Sequence, residues 1–235
     1  MNTLSIIIPA LNESECIEQT IHAVRERSEL SVPKQIIVVD GGSTDNTVEL
    51  AKCSGAECAV IPNAPRGRAY LLNRGVHHAT GEVLLFLDAD TIVPQGYDKE
   101  IEESFWKSGV VGGAFEFALD GPQFGLRVVE LINRTRYRIW QRYYGDQGIF
   151  VKKDVFHKIG GYPQVGLMEA SDFCVNLSRE GKLKLVQKPM LTSARRFIDN
   201  GIYRVLGFDI RMWWLNLIKQ DTEKFAQAYW NVNRS

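Results

Sequence analysis

The chain of 235 residues lacks the sequence features of secreted, metal-ribbon and membrane-spanning proteins. Its four cysteines, Cys16, Cys53, Cys58 and Cys174, include no CxxC pair. We therefore expect reduced thiols, with neither disulfides nor a zinc site. No apolar run approaches the roughly 20 residues that a membrane-spanning helix requires. No basic segment with an apolar core follows Met1, so we expect a cytoplasmic protein.

An excess of charge of one sign is also missing, because 28 Lys and Arg balance 28 Asp and Glu. We accordingly expect no nucleic-acid partner. The two halves differ, since residues 1–120 carry 9 basic and 18 acidic side chains and residues 121–235 carry 19 and 10. An acidic half can hold cations, and a basic half can face phosphates or an anionic membrane. Docking of the two halves on each other is the alternative.

Two carboxylates follow directly on a predicted buried strand. Five consecutive apolar residues, 83–87, lead into Asp88, Ala89 and Asp90. Crowded carboxylates raise each other's pKa, and a divalent cation is their usual partner. Their oxygens suit Mg2+ or Mn2+, which keep open positions for substrate phosphates. The sequence therefore predicts a metal and phosphate site at this strand end.

Apolar runs alternate with helical patterns and turn residues along the first half of the chain. This alternation predicts an α/β domain with a largely parallel sheet. The predicted strands are 4–8, 35–39, 59–61, 83–87, 110–119, 149–152 and 183–186. The predicted helices are 13–27, 45–51, 67–79, 97–108, 124–144, 153–159, 169–180 and 203–230.

Polar residues follow three of the predicted strands at what should be one edge of the sheet. They are the 9–13 segment, Asp40, and the pair Asp88 and Asp90. Ligands of open parallel sheets bind outside the carboxyl ends of the strands, so we expect these groups to converge. Asp40 can accept hydrogen bonds from a ribose or a base, and a plain turn before a helix is the alternative.

These motifs resemble, in order and spacing, those of the family 2 glycosyltransferases of GT-A fold. The matching segments are PALNE at 9–13, VVDGGSTDNT at 38–47 and DAD at 88–90. GRA at 67–69, YGDQGIF at 144–150 and TSARR at 192–196 are similar to a subgroup of small bacterial members. The resemblance implies a single GT-A domain with a Rossmann-like, mostly parallel sheet, a nucleotide-binding half at 1–120, and an acceptor half at 121–235 that ends in helices.

The resemblance also implies roles for individual residues. The sugar donor, a nucleotide-diphosphate sugar, would contact Pro9, Ala10, Leu11, Glu13, Asp40, Arg66, Arg68, Asp88, Ala89, Gln147, Arg195 and Arg196. Asp90, with Asp88, would bind Mn2+ or Mg2+, and the cation would bridge the diphosphate. Alternatives remain for several of these residues. Arg66 and Arg68 fit a solvated turn, Gln147 a loop-stabilising hydrogen bond, and Arg195 with Arg196 a helix surface.

The implied reaction is displacement at an anomeric carbon, with inversion, by an unidentified acceptor hydroxyl, and it needs a general base. In the family this base is the Asp of a Glu-Asp pair, whereas here Glu169 is followed by Ala170. We expect the base to be Glu169 or Asp172, which share nearly one helical face, with Asp146 as third candidate. First-turn acids that favour the helix dipole are the alternative.

The absence of that Asp leaves a second hypothesis open. The chain would then bind a nucleotide sugar as a catalytically impaired or regulatory protein of the same fold.

The C-terminal stretch 205–218 is apolar but is interrupted by Asp209 and Arg211. We expect it to pack within the chain or against a second copy in a homodimer. Peripheral contact with a membrane surface is the alternative.

Overall fold

A mixed sheet runs through the computed structural model, which describes residues 1–62 and 67–218. Its strands are β1 Leu4–Ala10, β2 Lys34–Asp40, β3 Glu57–Val60, β4 Val83–Phe86, β5 Thr91–Ile92, β6 Val110–Asp120, β7 Ile149–Lys152 and β8 Lys182–Ser193. In space they follow the order β3-β2-β1-β4-β7-β6-β8-β5. Pairing is parallel among β3, β2, β1 and β4 and again between β6 and β8. The predicted α/β architecture with a mostly parallel sheet is confirmed.

Helices cover both faces of this sheet. They are α1 Ile17–Glu26, α2 Thr47–Cys53, α3 Arg68–His78, α4 Tyr97–Phe105, α5 Phe124–Trp140, α6 Lys153–Lys158, α7 Glu169–Leu177, α8 Arg195–Asn200 and α9 Ile202–Leu217. Side chains alternate between the faces along a strand. In β1, for example, Ile6 and Ile8 join the core beneath α1 and α4, whereas Ile7 joins the core beneath α3, α5 and α7.

The strand β8 is longer than the sequence predicts. It extends from Lys182 to Ser193, whereas the prediction stops at residue 186 before Lys188 and Pro189. The register with β6 shifts at this point, where Val186 pairs with Phe115 but Pro189 pairs with Glu116. Such a bulge takes up extra residues and accommodates a proline that cannot donate to the ladder.

Some helices and strands begin or end at residues other than those predicted. The first helix begins at Ile17 rather than at residue 13, because residues 11–16 form a turn after β1. The prediction missed the two-residue strand β5, which is too short to show a periodic pattern. The last predicted helix, 203–230, matches α9 up to Leu217, and its residues 219–230 lie outside the described ranges.

Among the described residues, each helix is too short or too polar to cross a membrane. The four cysteines are free thiols.

Candidate functional site

The direction of β7 explains why residues before this strand reach the same edge as residues after the others. β1, β2 and β4 run parallel, so their carboxyl ends share one edge of the sheet. β7 runs antiparallel to β4, and Ile149 at its beginning pairs with Phe86 at the end of β4. The short 3-10 turn Gly145–Gln147 therefore adjoins the Asp88–Asp90 segment. The predicted convergence of polar segments is present in the fold.

Asp40 at the end of β2 is fully buried and holds the turn that follows it. Its Oδ1 accepts hydrogen bonds from the backbone N–H groups of Gly42 at 2.9 Å and Ser43 at 2.8 Å. Its Oδ2 accepts one from the hydroxyl of Ser43. Both carboxylate oxygens thus accept hydrogen bonds from the turn that follows β2. This geometry agrees with the alternative that Asp40 stabilises a turn before a helix.

Asn12 joins the loop after β1 to the loop after β2. Its Oδ1 accepts a hydrogen bond from the N–H of Thr44 at 2.8 Å, and its own N–H donates to Ser43 Oγ at 2.8 Å. Its φ is 56°, in the left-handed region that Asn tolerates better than most residues. The N–H of Glu13 donates to Thr47 Oγ1 at 2.8 Å. The sequence places Asn12 in the 9–13 segment but does not predict that it joins the two loops, although the tendency of Asn to form turns was a usable signal.

Three carboxylates form an acidic centre where the loops after β1 and β4 meet. They belong to Glu13, Asp88 and Asp90. The pKa of Asp90 is raised to about 7, mainly by burial and also by the nearby charges of Asp88 and Glu13, against the opposing effect of Arg195. Burial also raises the pKa of Glu13. Negative charge is therefore in excess at this point, as is expected where a cation binds.

A divalent cation fits this acidic centre only together with a further ligand. Asp90 and Asp88 offer carboxylate oxygens, the donors that Mg2+ and Mn2+ prefer. Within residues 1–62 and 67–218, no three His, Cys, Asp or Glu side chains are grouped to hold an ion by themselves. Two carboxylates leave positions that phosphate oxygens and water would complete. The donor set therefore suits a metal that arrives with a phosphorylated ligand.

Arg68 connects the acidic centre to helix α7. Its guanidinium forms an ion pair with Asp88 and lies 3.5 Å from Glu169 Oε1. It also lies against Gly145, where a Cβ would overlap it. Its Nε is buried without an acceptor among the described residues. Because the φ of Gly145 is not positive, glycine is needed here for space: it lets the Arg68 side chain approach the backbone closely.

Asp146 faces the same region from the turn before β7. Its pKa is raised to about 7, mainly by burial and also by the charge of Asp88, while Arg136, Arg68 and Arg196 act in the opposite sense. A carboxyl group with such a pKa can accept or release a proton near neutral pH.

The neighbouring Gln147 is buried, and its amide is used within the protein. Its Nε2 donates to Phe115 O at 3.0 Å, and its Oε1 accepts from the N–H of Tyr144 at 3.1 Å. This geometry agrees with the alternative that the Gln147 side chain stabilises the loop by hydrogen bonds.

The two acids of residues 169–172, where the general base was expected, and Ala170 between them point in different directions. Glu169 is 7 % exposed and faces Arg68. Burial raises its pKa, with Arg68 acting in the opposite sense. Asp172 instead accepts a hydrogen bond from Asn216 Nδ2 of α9 at 3.1 Å. The Ala170 side chain lies in the hydrophobic core. The structure thus brings Glu169 and Asp146 to the acidic centre and turns Asp172 towards α9.

The two arginines that begin α8 have separate partners. Arg195 bridges to Glu13 Oε2 at 2.8 Å and to Glu15 Oε2 at 3.3 Å, which places it beside the acidic centre. Arg196 forms an ion pair with Asp209 of α9. Glu15 was not among the predicted site residues, since nothing in a local pattern pairs it with a residue 180 positions away.

The remaining predicted contacts lie at the edge of the site. Pro9 and Ala10 pair with Val39 and Asp40 across the strands, and Leu11 borders Gly41. Ala89 is buried, and its carbonyl accepts a hydrogen bond from Thr20 Oγ1 at 2.7 Å. Arg66 lies outside the described residues.

Comparison with known proteins identifies relatives that transfer sugars. The chain is 28% identical over 169 residues to the glycosyltransferase AglE of Haloferax volcanii, a match that covers 68% of this chain and 56% of that protein. It is 27% identical over 207 residues to an undecaprenyl-phosphate 4-deoxy-4-formamido-L-arabinose transferase of Sodalis glossinidius, covering 85% and 63% of the two. The chain therefore spans less than two thirds of the length of each of these relatives.

Two solved structures share its fold. Glucosyl-3-phosphoglycerate synthase of Mycobacterium tuberculosis, in complex with Mn2+, UDP and glucosyl-3-phosphoglycerate, superposes with a TM-score of 0.65 at 22% identity, covering 92% of this chain and 79% of that one. A mannosyltransferase of Pyrobaculum calidifontis, in complex with GDP-Man and Mn2+, gives a TM-score of 0.58 at 18% identity, with coverages of 80% and 56%. Both likenesses concern the fold.

The model of one protein family matches more than half of the chain. It is described as glycosyl transferase family 2, and it covers residues 5–164, which include β1 to β7 and the acidic centre. The fold comparison and the family model agree with the resemblance in the strand-end motifs. The chain is a member of glycosyltransferase family 2, with the GT-A fold.

Proposed function

We propose that this protein transfers a sugar, with inversion, from a nucleotide-diphosphate sugar to an acceptor hydroxyl, with a divalent cation. The observation that carries the proposal is the acidic centre of Glu13, Asp88 and Asp90, flanked by the cations Arg68 and Arg195. Divalent cations and arginine side chains both bind phosphate oxygens, and this edge of the sheet offers carboxylates that can hold a cation together with two arginines. The fold neighbours crystallised with Mn2+ and UDP or GDP-Man support the same assignment.

Asp90, together with Asp88, would hold the cation. A bound Mn2+ or Mg2+ supplies charge neutralisation for the diphosphate that leaves. Arg68 is paired with Asp88 and holds this carboxylate in position. Arg195 limits the excess of negative charge through its ion pairs with Glu13 and Glu15.

Glu169 is our proposed general base. In the transfer, the acceptor oxygen forms a bond to the anomeric carbon while the bond from that carbon to the phosphate oxygen breaks. The bonding electron pair goes to the diphosphate, and the acceptor proton goes to the base. Glu169 is supported by its contact with Arg68 at the acidic centre and by its raised pKa, whereas Asp172 is engaged by α9. Asp146 is the second candidate, because its pKa of about 7 suits proton transfer.

Nucleotide binding without transfer is the second candidate function. It is favoured by Ala170, which places a core methyl group where the family resemblance expects a carboxylate. In this case the acidic centre would still bind metal and nucleotide, and only turnover would be absent.

Thermal unfolding tests the donor site. UDP and GDP should raise the melting temperature in the presence of Mn2+ and leave it unchanged in EDTA. At 100 times the dissociation constant, ligand binding stabilises by about 2.7 kcal/mol. Asp90→Asn should abolish this shift, whereas Asp154→Asn, an exposed acid on α6, should retain it. A shift that is independent of metal, or that persists in Asp90→Asn, would refute the proposed site.

Donor hydrolysis tests the base without a known acceptor, because water can replace the acceptor hydroxyl. We expect Glu169→Gln to lower release of nucleoside diphosphate by about 100-fold or more, with the Mn2+-dependent thermal shift retained. Asp172→Asn is the matched control and should stay close to wild type. A loss in Asp146→Asn alone would transfer the role to Asp146. Binding by the wild type without any turnover, unaffected by all three substitutions, would support the binding protein.

A further inference from the structure

Exposed apolar side chains are concentrated on one group of helices. Of the eleven large hydrophobic side chains exposed in the described part of the chain, nine lie on α5 and α8 or on α9 and its final turn. The other two, Val60 and Trp106, are isolated from them in the sequence. Scattered single apolar residues are ordinary on a protein surface, but such a concentration indicates an interaction surface.

The exposed residues form stripes at helical spacing. On α5, Phe124, Leu131 and Ile139 follow each other at intervals of seven and eight residues, and each is more than half exposed. These intervals return to one side of a helix, so the three share its outward face. The inward face of α5 carries buried residues such as Val129 and Tyr137. Helix α5 is thus apolar towards the core and again towards solvent.

Helix α9 repeats this arrangement beside α5. Tyr203, Trp214 and Ile218, at intervals of eleven and four, are each more than half exposed. The two helices pack side by side, because the rings of Trp140 and Trp213 lie 5.1 Å apart. At the other end, a Cβ at Gly125 would lie 3.1 Å from Ile202. We refer to the outward stripes of both helices, defined by Phe124, Leu131, Ile139, Tyr203, Trp214 and Ile218, as the α5–α9 surface.

Basic side chains accompany the stripes. Helices α5, α8 and α9 together contain eight arginines, no lysine and three acidic residues, Glu130, Asp199 and Asp209, so positive charge is in excess. Arg204 and Arg211 on α9 are exposed, as are Arg127 and Arg138 on α5, which also pair with Glu130 and Glu116. Exposed aromatic and aliphatic residues flanked by basic ones are typical of helices that lie in the interface of a membrane with anionic lipids.

We propose that the α5–α9 surface docks the protein on an anionic lipid bilayer. The charge pattern distinguishes this partner from a second copy of the chain. In a two-fold dimer the same patch meets itself, so the arginines of the two copies would oppose each other. Against anionic headgroups the same arginines are attracted, and Trp and Tyr side chains favour the headgroup region. The helices lie on the bilayer in this arrangement and do not cross it.

Vesicle cosedimentation of the full chain tests the proposal. The wild type should bind vesicles of phosphatidylcholine with phosphatidylglycerol, bind pure phosphatidylcholine far less, and detach as NaCl is raised. Leu131→Ser with Trp214→Ser should reduce binding at least about tenfold, since full burial of one large apolar side chain is worth about that factor. Trp106→Ser is the matched control. It also removes an exposed indole, but from a cleft next to Met1 and His157, on the side of the sheet that α4 covers.

Three outcomes would overturn the proposal. One is absence of binding to the anionic vesicles, and another is binding that is equal on neutral vesicles. The third is a dimer in sedimentation velocity that Leu131→Ser with Trp214→Ser converts to a monomer, which assigns the surface to a second copy. Urea denaturation of each variant checks folding, and we expect little change because both substituted side chains are more than half exposed.

Discussion

Gly145 shows how a residue without a side chain contributes to the site. A Cβ at this position would overlap the Arg68 guanidinium, and the φ of Gly145 is not positive, so it is the space and not the backbone conformation that requires glycine. The guanidinium in this space reaches both Asp88 and Glu169. Arg68 can therefore connect Asp88, a proposed metal ligand, to Glu169, the proposed base, only while position 145 carries no side chain.

Gly145→Ala should displace Arg68 and lower turnover of a nucleotide-sugar donor at least about tenfold. The reason is that the Cβ removes the ion pairs that orient Asp88 and Glu169. Hydrolysis rates measured with saturating Mn2+ check this. Gly207→Ala on α9 is the matched control, because a Cβ there meets nothing and an exposed helix gains about 1 kcal/mol from the change. Equal activity of both variants would contradict the role of Gly145.

Asp45 gives a residue-scale prediction for pH. Partial removal of Asp45 from water disfavours its charge, but hydrogen bonds from Thr47 and Ser14 outweigh this effect and lower the pKa of Asp45 to about 2. A carboxyl group with a lowered folded-state pKa stabilises the fold above its unfolded pKa of about 4, and this contribution is lost as the pH falls through about 2. Asp45→Asn should therefore lower the free energy of unfolding above pH 5, by about 1 kcal/mol or less because the group is exposed. Urea titrations at pH 7 and pH 2 check this, and a difference that does not shrink at pH 2 would disprove it.

At the scale of elements, a single buried carboxylate attaches the loop before β2 to helix α4. Asp98, in the first turn of α4, is fully buried. It accepts hydrogen bonds from Ser28 Oγ at 2.7 Å and from the N–H groups of Glu29 and Leu30 at 3.0 and 2.9 Å. Lys34 Nζ lies 3.0 Å from its Oδ2. The hydrogen bonds and the ion pair lower its pKa although burial opposes this.

Asp98→Ala should destabilise the fold by about 3 kcal/mol, because it leaves buried donors and the Lys34 charge without their acceptor. Urea denaturation measures the loss. Since Asp98 lies outside the acidic centre, the variant should melt at a lower temperature, but UDP with Mn2+ should still raise this melting temperature. A loss of stability under 1 kcal/mol would show that water replaces the carboxylate.

The sequence predicts a helix or strand well when neighbouring residues determine it, and less well when contacts with distant residues determine it. The apolar runs of β1, β2 and β4 are local, and their predicted bounds agree with the structure within two residues. The helical pattern of α5 is also local and gives its first residue, but the helix ends at Trp140, four residues before the predicted end. The end of β8 is not local, because pairing with β6 and a bulge carry the strand past Pro189. The ion pair between Glu13 and Arg195 joins residues 182 positions apart and depends on the whole fold. Strand-end motifs thus predict which segments meet, and only the packed structure shows which side chains pair.

At the scale of the whole molecule, the opposite charges of the two halves are used in part to hold them together. Acidic residues of the first 120 positions pair with basic residues of the rest at Glu13 with Arg195, Glu100 with Lys188, and Glu116 with two arginines of α5. These contacts agree with the alternative that the opposite charges help the two halves of the chain to dock on each other. Arg68 with Glu169 is the reverse pair and lies in the site.

Raising NaCl from 0.05 M to 1 M should lower the free energy of unfolding by about 1 to 3 kcal/mol. Partly exposed ion pairs contribute about 0.2 to 1 kcal/mol each, and salt at 1 M screens them. Urea denaturation at the two salt concentrations checks this. Glu116→Gln should reduce the salt dependence, whereas Glu18→Gln, on an exposed part of α1, should not. Stability that rises with salt would exclude a net attraction between the halves.

The bulge in β8 also determines where the end of this strand, and with it Arg195, lies relative to the acidic centre. Ser193 ends the strand, and Arg195, which reaches Glu13, comes only two residues later. One residue more or fewer between Val186 and Pro189 would shift this end by about 3.3 Å and turn successive side chains to the opposite face. Because the ladder before the bulge would be untouched, an insertion or deletion there changes the reach of Arg195 without disturbing the first part of the strand. The irregular segment is thus the place where natural or engineered changes in chain length would alter the contact of Arg195 with Glu13.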